Sequence, residues 1–93
     1  MNPKPLHIVV THTRAQAVQL FEQAVTATLA DRGSMKAQRA TLRIEHRGQV
    51  TEWVPAEHLQ ESVRGRSVTS WEACKGVRLG PEITGYLDMA ALV

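Results

Sequence analysis

At 93 residues the chain has room for one domain and one modest core, because a chain this short buries only about two thirds of the surface its unfolded form exposes. A hydrophobic fraction of 43% against 22% charged residues argues against disorder, and an excess of 11 basic over 9 acidic side chains is too small to demand a nucleic-acid partner. Cys74 is the only cysteine, which excludes an intramolecular disulfide and a cysteine-based metal site. No apolar run approaches the roughly twenty residues needed to span a bilayer, and Met1 to Pro5 lacks the apolar core of a signal peptide. A cytoplasmic protein without membrane contact is expected.

Pro3 and Pro5 hold the start of the chain extended. Leu6-His7-Ile8-Val9-Val10 is an apolar, β-branched run that favours a buried strand. Thr13-Arg14-Ala15-Gln16 carries a capping-box pattern, so a helix is expected from Arg14. Val18, Phe21, Val25 and Leu29 recur at three- and four-residue spacing, and Ala17, Leu20, Ala24 and Ala27 widen that face. Phe21, the only phenylalanine, is expected near the centre of the core. Asp31-Arg32-Gly33-Ser34 should end the helix, with a polar connection over 34–40.

Thr41 to His46 and Gln49 to Val54 read as two strands joined by the two-residue turn Arg47-Gly48, with glycine where a positive φ is needed. A turn at 47 and 48 sets residues whose numbers sum to 95 opposite one another. Leu42 then faces Trp53, Ile44 faces Thr51, and on the other side Arg43 faces Glu52. One apolar and one polar side are expected, as for a half-buried hairpin. Pro55 to Ser62 predicts a short helical turn, with proline at its start and acidic residues early. Ser67 to Trp71 is the candidate last strand. Val77-Arg78-Leu79 is a candidate brief extended piece. After Gly80-Pro81 the stripe Ile83, Tyr86, Leu87 and Ala90 predicts a closing helix. The expected fold is therefore α/β: one domain over 1–93, with a small mixed sheet of about four strands in the order β-α-β-β-(α)-β-α and helices packed on the sheet. Trp53 and Trp71 are expected in the core.

Three local motifs, in this order, carry a resemblance. His7-Ile8-Val9-Val10-Thr11-His12-Thr13-Arg14-Ala15-Gln16-Ala17 resembles the strand and threonine-arginine-x-x-alanine helix start of phage terminase large subunits and related helicase-like ATPases. The hairpin around Arg47-Gly48, and the segment Leu59 to Val68 centred on Arg64-Gly65-Arg66, resemble that family's hairpin and the turn before its acidic metal-binding strand. The resemblance covers roughly residues 6 to 72 and implies a phage or prophage origin, with the first and last strands adjacent and parallel and the hairpin antiparallel at an edge. Two departures stand against the family's activity. No Gly-x-x-x-x-Gly-Lys-Ser/Thr loop occurs, and Ser70-Trp71-Glu72-Ala73 supplies one carboxylate where paired acids would stand. The resemblance thus implies a reduced ATPase core without the nucleotide-binding loop.

No catalytic constellation is legible, so no enzyme activity and no cofactor are expected. His7 and His12 are five apart, a poor spacing for a shared metal; no metal is expected with these or with His46 and His58. Cys74 reads as a small hydrophobe rather than a nucleophile. The basic residues form two groups: Arg32, Lys36, Arg39, Arg43 and Arg47, then Arg64, Arg66, Lys75 and Arg78. On a common face they would follow a phosphate backbone. The functional expectation is a non-catalytic interaction module, self-associating or binding a protein partner. The alternative is a small nucleic-acid-binding protein using arginine clusters at 32–47 and 64–78.

Overall fold

The β-branched run near the start forms β1 (Leu6–Thr11), buried along nearly its whole length. A strand buried on both faces needs neighbours at both edges and cover above and below. The computed structural model, which describes residues 4–30, 35–63 and 68–77, provides them. The capping threonine starts α1 (Arg14–Ala30). The chain continues through β2 (Met35–Gln38), β3 (Arg43–His46), β4 (Gln49–Pro55), a 3-10 turn over Ala56–His58, α2 (Leu59–Val63) and β5 (Ser70–Ala73). The fold is mixed α/β, a five-stranded sheet in the order β2-β3-β4-β1-β5 with helices packed on it.

β1 runs parallel to β4 on one side and to β5 on the other, as expected for the first and last strands. The two crossovers leave the central strands in opposite directions. Connections of the same right-handed sense must then put α1 and α2 on opposite faces. Two hydrophobic clusters follow that division. Leu6, Ile8 and Val10 alternate toward one face with Val50, Val54, Leu59, Val63 and Val68. On the other, Ala17, Phe21 and Val25 pack on Leu42 and Ile44.

The hairpin keeps its predicted register, with Arg43 opposite Glu52 and Ile44 opposite Thr51. Leu42 leaves the strand with φ at 50°, yet its carbonyl still accepts the Trp53 N–H at 3.1 Å. Arg47 and Gly48 have φ of 51° and 78°, the paired positive values of a tight hairpin turn. A Cβ on Gly48 would meet nothing within 4 Å, so only the backbone resists substitution there. Gly48→Ala is expected to cost about 1 kcal/mol in urea denaturation.

Several expectations change. Met35–Gln38, read as connection, pairs antiparallel with β3, so the sheet has five strands rather than four. An open β3 edge offers backbone partners, and Lys36 lands opposite Glu45. The hairpin consequently lies beside β1, with β2 as the outer strand. Its supposedly polar side is buried at Val50, Glu52 and Val54, because β1 and α2 extend the second core over it. In α1 the buried line is Ala17-Phe21-Val25, whereas Val18 and Leu29 are 38% and 62% exposed, since the helix covers the sheet with a narrower face than the stripe predicts. The last strand starts three residues later, at Ser70. Phe21 is fully buried, and Trp53 and Trp71 are half-buried, one on each face. The proposed helix stop at Gly33, the extended Arg78 and Leu79, and the closing helix lie outside the described residues. Among the described residues no helix is long and apolar enough to cross a membrane.

Candidate functional site

The first turn of α1 is built by side chains. The Gln16 N–H donates to Thr13 Oγ1 at 3.1 Å, as in the predicted capping box. The reciprocal bond shifts by one residue, with the His12 N–H donating to Gln16 Oε1 at 2.7 Å. Thr11, fully buried, donates its hydroxyl to the Thr13 carbonyl at 2.9 Å. These bonds hold the chain where it leaves the carboxyl end of β1 and aim Arg14 toward β4. His12 Nε2 lies 2.9 Å from the Lys75 carbonyl, which ties the exit of β5 to the same end. In an open α/β sheet the carboxyl ends beside a reversal of strand order are where ligands collect.

At that end a cleft of about 280 Å³ opens beside β4. It exists because β4 has seven residues and β3 only four, so the sheet is notched past Arg43. Leu42, Trp53, Val54 and Pro55 make its apolar wall. Arg14 enters from α1, Thr41 from the turn before β3, and His58 and Ser62 from the segment after β4. Glu52, only 6% exposed, contributes a carboxylate to the lining. Trp53 is seated by Phe21, edge to face at 5.9 Å between ring centres. Pro55 has no N–H to offer, which guards this strand end against pairing with a further strand. The volume lies just below the range of drug-sized ligand sites and suits one or two side chains of a partner.

Among the described residues the basic side chains do not converge on one face. Lys36 and Arg43 lie on the sheet face of Lys4, where Lys4 pairs with Glu45 and where Glu52 also stands. Arg39 is on the opposite side, paired with Glu22 and set 5.8 Å over the Phe21 ring. Arg47 occupies the hairpin tip. Lys75 is at the exit of β5. Arg32, Arg64, Arg66 and Arg78 lie outside the described residues.

A second constellation escaped the sequence. His7 on β1 stands directly opposite Ser70 on β5, with Glu72 two residues along the same face. His7 Nδ1 lies 2.7 Å from Ser70 Oγ, and His7 Nε2 lies 3.4 Å from Glu72 Oε1. The first two residues are 63 apart in the chain, so only the parallel register joins them. The one available signal was the i, i+2 spacing of Ser70 and Glu72 across the end of the strand predicted over Ser67 to Trp71. Among the described residues no group of three or more histidine, cysteine or carboxylate side chains is placed to hold a metal ion.

No protein-family model, curated protein or solved structure matches this chain.

Proposed function

We propose that this chain is a small interaction module that self-associates, using the cleft at the carboxyl end of β4. The observation that carries the reading is the pairing of that notch with unburied apolar side chains on the helix beside it. Val18 and Leu29 are eleven residues apart, about three helical turns, and so lie along one flank of α1. An apolar flank and an apolar-walled cleft on one molecule are the complementary halves that an isologous contact uses twice. Arg14, Thr41 and His58 at the cleft would give it polar definition. The resemblance to a terminase-like ATPase core without its phosphate loop fits a phage-derived binding role.

A second reading, nucleic-acid binding, draws on Lys4, Lys36 and Arg43, which share one sheet face. Glu45 and Glu52 on that face oppose it. Light scattering across a concentration series, with and without a mixed-sequence DNA duplex at low and moderate salt, separates the two. A dimer that ignores DNA, persists at moderate salt and is lost in Leu29→Glu or Thr41→Arg is the expected result. A monomer at every concentration overturns self-association. A DNA complex that dissolves as salt rises and weakens in Arg43→Glu favours the second reading.

A further inference from the structure

We infer that Ser70, His7 and Glu72 form a nucleophilic site that accepts acyl groups from activated esters. It lies on different elements from the β4 cleft and goes beyond the binding reading. A serine hydroxyl is a weak nucleophile until a neighbouring base takes its proton and a third group holds that base in the useful tautomer. His7 Nδ1 is within hydrogen-bond reach of Ser70 Oγ, at 2.7 Å. Its other nitrogen is 3.4 Å from Glu72 Oε1, a looser approach of the kind that tightens when substrate is bound. With Nε2–H donating to the carboxylate, the Nδ1 lone pair is free to receive the serine proton. The parallel register fixes this relation: Ser70 is opposite His7, and Glu72 follows on the same face.

The group is open to a substrate. Ser70 is exposed and Glu72 keeps 64% of its side chain accessible, while His7 is half-buried between β5 and Thr51 on β4. Thr51 is neutral, so Glu72 is the charged group contacting the imidazole among the described residues. The chemistry is a two-step transfer. Ser70 Oγ attacks the ester carbonyl as its proton passes to Nδ1. The C–O bond to the leaving group breaks, and that proton leaves with the departing oxygen. Acyl-Ser70 is then cleaved by water, which gives one proton to His7. The carboxylic acid departs and Ser70 recovers its hydroxyl. No oxidant, metal or cofactor enters the balance. Ser70 and His7 are the reacting groups, and Glu72 is a positioning residue.

The test uses the full chain with 4-nitrophenyl acetate, and separately with a fluorophosphonate followed by peptide mass spectrometry. The expected result is one modification, at Ser70, and ester turnover that Ser70→Ala abolishes. His7→Ala should lower the rate by roughly 100-fold. Glu72→Gln, at an exposed position where folding is little affected, should give a smaller loss that falls on kcat with KM unchanged, as for a residue that holds the base and does not touch the ester. Labelling that persists in Ser70→Ala, a rate no higher than that of denatured protein, or a Glu72→Gln kcat equal to that of the parent would each overturn the assignment.

Discussion

Phe21→Ala is expected to remove about 3–5 kcal/mol of folding free energy, the largest loss of any single truncation on the α1 side of the sheet. Phe21 is fully buried among Ala17, Val25, Leu42 and Ile44, and its ring meets the edge of Trp53. No other fully buried side chain in that cluster is as large, and the flanking Ala17 and Ala24 cannot collapse into the space. A chain of this size has about 5–14 kcal/mol in total, so the variant would stand near the limit of folding. Each kcal/mol lost shifts the midpoint of a small domain by about 4–8 °C, so the thermal melt followed by circular dichroism should fall by at least about 12 °C. A loss below about 1 kcal/mol would show that α1 does not pack through this residue. Trp53, released from its edge-to-face contact, should also lose its near-ultraviolet dichroism, and the β4 cleft its fixed wall.

The second large effect belongs to the opposite face. Leu59→Ala should cost about 2–5 kcal/mol, because Leu59 is fully buried against Leu6, Ile8, Val10 and Val54 at the start of α2. The sheet separates Leu59 from Phe21, so the two losses should add within about 0.5 kcal/mol when the single and double variants are compared by urea denaturation. If the double variant does not fold, the same cycle with the milder Val25→Ala in place of Phe21→Ala gives the answer. Coupling well above that value would mean the two clusters behave as one core. Leu59 also seats the segment that brings His58 and Ser62 to the cleft, so self-association should weaken in Leu59→Ala even where the chain remains folded. Val63→Ala, one turn further along and outside the cleft, is the comparison for a loss of stability alone.

What was legible in the sequence was local. The β-branched run of β1, the threonine that caps α1 and the positive-φ turn at Arg47-Gly48 each depend on residues within a few positions of one another. Their chemistry is the same whatever the chain does elsewhere. The register of the hairpin followed for the same reason, since a two-residue turn leaves one pairing. Met35–Gln38 was illegible as a strand because nothing in Met-Lys-Ala-Gln favours that state on its own; an open edge of β3 made it one. Val18 and Leu29 match the helical period as well as Phe21 does. Their exposure depends on how wide a strip of α1 the sheet below can cover.

The candidate sites divide in the same way. Arginine clustering along the chain says nothing of which face each residue takes. Arg39 goes to Glu22 and Phe21 on the helix side, while Arg43 and Lys36 stand on the other, so a run in sequence becomes two sides in space. The cleft arises from unequal lengths of β3 and β4, and the contact of His7 with Ser70 from a parallel register across 63 residues. By itself the sequence determined β1, α1, the β3-β4 hairpin and its tight turn, because those follow from short-range hydrogen bonds, steric limits on φ and side-chain periodicity. Only the tertiary structure decided the fifth strand, the burial of both sheet faces, the separation of the basic residues and the meeting of histidine, serine and glutamate. Each of these depends on which strands lie side by side, and that is settled by the joint burial of apolar surface from distant segments.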